Sequence, residues 1–397
     1  MKACSMTGAS NNPCCGVCGF KLVKNGKTTA GRTRWRCKGC GSSQVQSRVD
    51  VTAKAQMAQF HDWIINTAPV SRLPVSSSTM RRNLVWCWQV PVPRPLAPRS
   101  GFEQVIVDGT YFQGWCLLVA FDGRHVVGWQ WCDRESIASW TALLTQLPAP
   151  RVIVCDGATG LRAALDTRWP HTQMQRCLFH IRAQITRLVT TRPKLECGQE
   201  ILELTRQLMV VGNLDQAACW MSKYASWESK WESFLKQRTY ASTHTTRPKG
   251  IGANARWWYT HRALRSARAL YRRALQDQAL FTWLTHTQPS HLVSGSPPAI
   301  ARTTSGLEGG INAGIKHLLR AHRGLSESHA RTAVEWFLNS RTAHPADPWQ
   351  TAKQHRDNKP ELPRASPPPQ VDRDWGTALS PEEGLWIRKG WAGRYRP

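Results

Sequence analysis

Acidic residues are scarce in this 397-residue chain, and the first 49 residues contain none. Only 26 Asp and Glu stand against 53 Lys and Arg, giving a formal net charge of +27 and a sequence pI of about 10.2. Such an excess calls for a polyanionic partner, and nucleic acid is the commonest. Long apolar runs are missing too. No segment approaches the ~18 uncharged apolar residues of a membrane span, and WCLLVAF at 115–121 has only the length of a strand. The opening MKACSMTGASNNPCC has no apolar stretch of the kind a secretory signal carries. The expected setting is the cytoplasm, with the nucleoid as the place of work, and no membrane partner. In a reducing compartment thirteen cysteines read as thiols and metal ligands, not as a disulfide framework.

Four of those cysteines form two spaced pairs. Cys15-x2-Cys18 and Cys37-x2-Cys40 enclose 18 residues, and each pair suits a tight turn that aims two thiolates at one Zn²⁺. Gly16, Gly19, Gly39 and Gly41 supply turn backbone, and nine Lys and Arg surround the thiolates. Cys14 competes with Cys15 for the first position. Residues 1–48 are therefore expected to be a zinc ribbon that folds with its metal. From 49 to 99, the periodic run AKAQMAQFHDWIINTA, a turn and MRRNLVWCWQ fit a helix-turn-helix or an ordinary helical hairpin. Ser76 to Thr79 offer N-cap hydroxyls. The stretch VPVPRPLAP at 90–98 reads as an extended linker.

The pattern from 100 on is mixed α/β. Strands are expected near 104–108, 115–121 and 125–131, then a helix at 136–147, a strand at 151–155, a helix at 158–168, a strand at 172–176 and a helix from 178. That order is the order of a ribonuclease H-like fold, in which the first and fourth strands lie side by side. Asp108 in VIVDGTYF and Asp156 in RVIVCDGATG would then meet at one edge of the sheet. Two such carboxylates stay ionised together if divalent metal sits between them. Asp-Gly is also a common hairpin turn, as at Asp122-Gly123. Against that reading, Thr110, Tyr111 and Phe112 are not expected to pair back as a tight hairpin, and Asp156-Gly157 runs into the helical LRAALDTRW.

A third acid lies in RTTSGLEGGINAGIKHLLRAHRGLS, residues 302–326. Leu307, Ile311, Ile315 and Leu318 mark an apolar helix face, while Glu308, Asn312, Lys316 and Arg320 recur every four residues beside it. Gly309, Gly310 and Gly314 weaken a helix, so something is expected to approach it closely. Glu327, Glu335 and Asp166 compete with Glu308 but lack its glycines and its polar face.

DGTY, the Asp-Gly of VIVCDGATGL, the Cys-x2-His of RCLFH and TTSGLEGGINAGIKHLLR together resemble the Mutator-type DDE transposases of bacterial insertion sequences. The resemblance spans about 100–340, and Thr304, Glu308, Asn312 and Lys316 stand in the family's register. It implies a ribonuclease H-like core at 100–185 and 296–343, interrupted by an all-helical insertion at 186–295. It also implies Mg²⁺ or Mn²⁺ held by Asp108, Asp156 and Glu308 for DNA cleavage and strand transfer. Cys177 and His180 match the family's Cys-x2-His, and their role stays open.

Within the insertion, residues 247–273 hold eight Lys and Arg and no acid. On a helix Arg262, Arg265, Arg268 and Arg272 make one stripe, a surface for a phosphate backbone with Trp257-Trp258-Tyr259 at its start. Trp220, Trp227, Trp231 and Trp283 read as core or stacking residues. Asn312, Lys316 and Arg320 are further candidate DNA contacts. The expected partners are terminal inverted repeats, target DNA and a second copy, since cutting two ends together calls for at least a dimer. The Pro-rich tail, 344–397, is expected to be mostly disordered, although GLWIRKGW could dock. A regulator with a dead core and a nuclease that cuts without joining are the rival readings.

Overall fold

A computed structural model describes residues 12–15, 18–45, 49–66, 76–98, 101–112, 114–243, 246–285 and 299–357. The chain divides into units 1–353 and 354–397. Of the second, only the end of the helix Pro348–Asp357 is described. The expected tail therefore starts as a helix, with Asp347 accepting from the Gln350 amide and Ala352 in the core. Its remainder, GLWIRKGW included, lies outside the described residues, as do 286–298 of the insertion.

Five strands form the central mixed sheet: β4 (Gln104–Phe112), β5 (Trp115–Phe121), β6 (Val126–Cys132), β7 (Val152–Cys155) and β8 (Gln173–Arg176). Their order is β6-β5-β4-β7-β8, antiparallel across β4–β5–β6 and parallel across β4–β7–β8. The first and fourth strands of the set are neighbours, as expected. Ile106, Leu117, Val119 and Val154 point to one face, and Val105, Val107, Leu118 and Ile153 to the other. Both faces are covered, so these strands read as nearly continuous apolar runs. Helices α3 (Ile137–Thr145) and α4 (Thr159–Arg168) cover the second face through Trp140, Leu143, Leu144, Leu161 and Leu165.

One strand differs from expectation. β4 does not stop at Asp108, and Gly109 to Phe112 pair back onto β5 as a tight hairpin, Phe112 facing Trp115. Thr, Tyr and Phe favour extended backbone, and the turn falls after them. Asp108-Gly109 is thus no turn, but for the opposite reason to the one the sequence offered. At Asp122 the turn is real, its carboxylate accepting from the amides of Arg124 and His125, each at 2.7 Å.

The helical pair before the sheet is α1 (Val49–Ile65) and α2 (Ser77–Leu84), continued by a 3₁₀ turn to Gln89. Ser76 caps α2, its side chain accepting from the Thr79 amide. The pair is not a free-standing module. Met57, Phe60, Ile64, Met80 and Leu84 share one core with Trp129 of the sheet and Trp336 of α11 (Glu327–Asn339). Amphipathic periodicity shows that a helix buries one face, not what it buries it against.

A second core belongs to α5 (Leu178–Val189), α6 (Glu196–Val210), α7 (Leu214–Leu235) and α8 (Arg262–Gln276). Trp220, Trp227 and Tyr271 are buried in it. The insertion is not all helical. β9 (Arg238–Tyr240) and β10 (Trp257–Tyr259) form an antiparallel pair, with the Arg238 guanidinium 4.0 Å from the Trp257 ring. Adjacent aromatic and Thr residues favour extended pairing there over helix. Among the described residues, no helix is long and apolar enough to cross a membrane.

Candidate metal centres

At the N-terminus, β1 (Leu22–Lys27), β2 (Thr33–Cys37) and β3 (Ser43–Val45) form a small antiparallel sheet. The sulfurs of Cys15, Cys18, Cys37 and Cys40 lie within 4.8 Å of one another. Cys15 and Cys40 are 3.6 Å apart, and Cys18 and Cys37 3.4 Å. Zn–S bonds of ~2.3 Å in a tetrahedron put sulfurs about 3.8 Å apart, so the arrangement fits a Cys4 zinc site. The two turns repeat each other: the Cys15 amide donates to Phe20 O and Gly19 to Cys15 O, while Cys37 donates to Ser42 O and Gly41 to Cys37 O. Gly19 and Gly41 adopt φ of 74° and 76°, which side-chain-bearing residues rarely do. Cys14 stands outside the cluster, its backbone bridged to Lys21. The open choice therefore falls to Cys15.

The second centre gathers around Asp108. Having the parity of Ile106, it points to the sheet face on which the third-acid segment packs. That segment is a π-helical turn, Leu307–Asn312, leading into α10 (Ala313–Ala321). Leu307, Ile311, Ile315 and Leu318 are buried, as the pattern required. Asn312 is buried too: its side-chain amide donates to Asp108 Oδ2 at 2.7 Å, and its Oδ1 has no hydrogen-bond partner. Expected as a DNA contact, it holds a carboxylate instead. The glycines divide. Gly309 and Gly310 face open space, whereas a Cβ on Gly314 would stand 2.5 Å from the Phe337 ring. The close approach is by the next helix.

Asp156 follows β7, and its carboxylate accepts from the Ala158 amide at 2.9 Å. Burial, then the charges of Glu308 and Asp156, push Asp108 up to about 7, against the opposing pull of His180. Among the described residues, the group around Glu308 whose ligand atoms lie within 4.8 Å of one another is Cys177, His180 and Glu308, with Asp108 and Asp156 outside it. The charges of Glu308 and Asp156 nevertheless act on Asp108.

Thr304, Cys177 and His180 tie Glu308 to the sheet. The Thr304 amide and hydroxyl each donate to Cys177 Sγ at 3.3 Å, and the same hydroxyl contacts Glu308. His180 Nδ1 lies 3.7 Å from Glu308 and 3.5 Å from Thr304 Oγ1. The Cys177 hydrogen bond is the main cause that raises His180 to about 9. Burial opposes ionisation of Cys177, but hydrogen bonds from His180 and Thr304 outweigh it and bring the thiol down. The Cys177 amide donates to Cys155 O at 2.7 Å, so the network is anchored one residue before Asp156.

The competing acids are used elsewhere. Glu335 accepts from Trp131 Nε1 at 2.8 Å and meets Arg94 at 3.6 Å. Glu327 pairs with Arg331 at 2.6 Å in the first turn of α11, and Asp166 is exposed on α4. One acid was not read from the sequence. Glu135, between β6 and α3, is raised by burial and by Asp156, and its charge also reaches Asp108. No spacing flags it in CDRES.

Of the basic candidates, Lys316 and Arg320 are exposed. The arginine stripe of α8 is largely engaged. Arg268, with 12% of its side chain exposed, and Arg272 reach Glu228 at 3.8 and 3.1 Å. Arg265 lies over the Tyr259 ring and donates to Leu235 O, and Arg262 donates to Lys249 O.

The geometry thus defines a mixed α/β protein with a five-stranded mixed sheet and a Cys4 cluster. A family model, Transposase, Mutator family, matches residues 116–251. A probable transposase for an insertion sequence element from Corynebacterium diphtheriae is 26% identical over 92 residues, 22% of this chain and 27% of the relative. The transposase for insertion sequence element IST2 of Acidithiobacillus ferrooxidans is 45% identical over 58 residues, 13% of this chain and 20% of that protein. These matches span about a quarter and a fifth of the relatives' lengths. They show the resemblance to Mutator-type insertion-sequence transposases. The matched segment contains Asp156, Cys177 and His180 but neither Asp108 nor Glu308, so the acid centre rests on geometry.

The raised Asp108 has a consequence for stability. A carboxyl whose folded value, about 7, exceeds its ordinary 3.8 favours folding fully below pH ~4 and loses that advantage as pH rises through 7. In Mg²⁺-free buffer, Asp108→Asn is therefore expected to raise the melting temperature by several degrees at pH 8, with the gain shrinking towards pH 4. A thermal-denaturation series in pH checks this, and an equal gain at both ends would contradict it.

Proposed function

We propose that this protein is the DDE transposase of an insertion sequence, with a ribonuclease H-like core. The observation that carries the reading is the parallel pairing of β4 with β7, which brings Asp108 near Asp156, while Asn312 binds the π-helical turn of Glu308 to Asp108. The three carboxylates would hold Mg²⁺ or Mn²⁺. Bound there, the metal supplies Lewis-acid chemistry for phosphoryl transfer: activation of water or a 3′-hydroxyl, and stabilisation of the leaving oxygen.

The chain's own groups orient that centre. Asn312 fixes the Asp108 carboxylate, and the Cys177–His180–Thr304 network positions Glu308. Lys316 and Arg320, exposed on the helix that follows, bind flanking phosphates as a point charge and a fork. The Cys4 ribbon, holding Zn²⁺, and the α1–α2 pair with exposed Arg81 and Arg82 bind the terminal inverted repeats. The active complex with repeats and target DNA is at least a dimer.

The direct test incubates purified protein and Mg²⁺ with DNA bearing the inverted repeats that flank the gene. Nicking at the repeat ends and joining to a second duplex support the reading, and binding without any cleavage overturns it. The basic residues give a graded check. Replacing Lys316 and Arg320 with Gln should lower the log–log salt slope of DNA binding by roughly 0.9 per lost contact. Arg268→Gln should leave the slope unchanged and lower thermal stability, because it strips a shielded partner from Glu228. Fluorescence anisotropy at several salt concentrations, with a melting curve, separates the two outcomes.

A further inference from the structure

We propose that Cys177, His180 and Glu308 form a zinc site apart from the ribbon, and that an ion bound there holds Glu308 away from the divalent-metal centre. The site stands on its own geometry, and only its effect on that centre rests on the function proposed above.

The three ligand atoms lie within 4.8 Å of one another, as those of the ribbon do. Cys177 is the N-cap of α5, and His180 stands in its first turn. A spacing of three residues puts both on one side of the helix start, where they meet Glu308 of the π-helical turn. His180 Nδ1 is 3.7 Å from the Glu308 carboxylate. Bonds of ~2.3 Å to sulfur and ~2.0–2.1 Å to nitrogen and oxygen in a tetrahedron separate the donors by roughly 3.4–3.6 Å, so small side-chain rotations close the group on one ion. The ion takes over the link that the Thr304 hydroxyl now makes between Cys177 and Glu308. The Thr304 amide donates to Cys177 Sγ at 3.3 Å, as the Cys40 amide does to the ribbon ligand Cys37 at 3.5 Å. Such N–H···S bonds orient a thiolate for a metal. Cys177 is fully buried, whereas 28% of the His180 side chain and 30% of the Glu308 side chain are exposed. An ion therefore enters from their side and keeps water as its fourth ligand.

One thiolate, one imidazole and one carboxylate select Zn²⁺ over Mg²⁺ and Mn²⁺, which prefer oxygen ligands. Asp108 and Asp156 lie outside the group. Glu308 thus has two alternatives: with those acids it completes an oxygen-lined centre, and with Cys177 and His180 it is taken up by zinc. A carboxylate engaged by Zn²⁺ leaves the Mg²⁺ centre short of one charge, so zinc acts as a brake on the metal-dependent reaction. With three protein ligands against the ribbon's four, this is the weaker of the two sites. Purified protein keeps its ribbon zinc, and the second ion binds when it is added.

The test titrates Co²⁺, a spectroscopic stand-in for Zn²⁺, into full-length protein whose ribbon is loaded with zinc. Zinc content measured before and after shows that the ribbon stays filled. Co²⁺ should give a near-ultraviolet thiolate-to-cobalt charge-transfer band that saturates at one equivalent, and added Zn²⁺ should erase it. Cys177→Ser should lose the band, while Cys219→Ser, which removes an exposed thiol of α7, should keep it. His180→Asn and Glu308→Gln leave the thiol in place and should weaken Co²⁺ binding by at least the ~10–100-fold that loss of an outer-shell partner costs. No band in the parent, a band that survives Cys177→Ser, or an affinity that Glu308→Gln leaves unchanged overturns the site, and the transposase reading stands without it. In the cleavage assay, Zn²⁺ added beyond the ribbon's equivalent should abolish the parent's Mg²⁺-dependent nicking, and nicking untouched by it overturns the brake. Absence of nicking under any condition counts against the function proposed above, while the cobalt spectrum still decides the site.

Discussion

Glu308→Gln is expected to fold, keep its zinc and bind terminal-repeat DNA as the parent does, while Mg²⁺-dependent strand cleavage drops by several orders of magnitude. The substitution keeps the size of the side chain and leaves Leu307 and Ile311, which seat the turn, untouched. The Thr304 hydroxyl contact survives on the amide oxygen. What disappears is charge. A neutral amide ligates Mg²⁺ poorly and leaves the cation less compensated where phosphoryl charge develops. Glu327→Gln is the matched control, because Glu327 pairs with Arg331 and lies in the cap turn of α11. Thr304→Val probes the support, as it removes the hydroxyl that joins Cys177 to Glu308 without touching a ligand. It should lower the cleavage rate at saturating Mg²⁺ while leaving DNA affinity alone. Cleavage by Glu308→Gln at a rate near the parent's would move the third ligand elsewhere.

Much of this architecture was legible because its physics is local. The strands of the central sheet are short apolar runs bounded by polar turns, and helix α3 announces itself by a serine cap and a periodic face. The four thiols could be assigned by spacing alone, since a metal imposes one geometry on two turns. The Cys14 ambiguity could not, because the two residues are adjacent and only the fold, which buries Cys15 among the other three sulfurs and leaves Cys14 exposed, separates them.

Other features depended on contacts made across the chain. That α1 and α2 share a core with Trp129 and Trp336 is a tertiary fact, invisible to their own periodicity. Asn312 looked like one more polar residue on an exposed stripe. The π-helical turn alters the phase of that stripe, so Asn312 faces Asp108 while Lys316 and Arg320 stay in solvent. The arginines of α8 had the right spacing for a phosphate backbone, but acids distant in sequence decide spacing's use. Glu228, on the preceding helix, takes two of them.

Cys37→Ser is expected to cost the protein its ribbon zinc and its specific grip on terminal repeats, with only weak, salt-sensitive DNA binding left. The reason is the size of the core. In the segment 12–45 the buried cluster consists of Cys15, Leu22, Trp35 and Cys37, and two of these four are thiols. Burying one Leu and one Trp yields on the order of 2–5 kcal/mol. A structural Zn²⁺ contributes about 10–16 kcal/mol, several times that apolar burial. Cys37 is the most telling thiol to remove, being 1% exposed, 3.4 Å from Cys18 and accepting from the Cys40 amide at 3.5 Å. A hydroxyl there is too short and too hard to complete the tetrahedron, so the segment should become protease-sensitive while the 101–353 core remains resistant. Metal analysis of the full-length protein should read one zinc for the parent and none for the variant, and the Cys14→Ser protein should still hold one. Zinc retained by Cys37→Ser, or a parent protein purified without chelator that contains none, would remove the ribbon from the account.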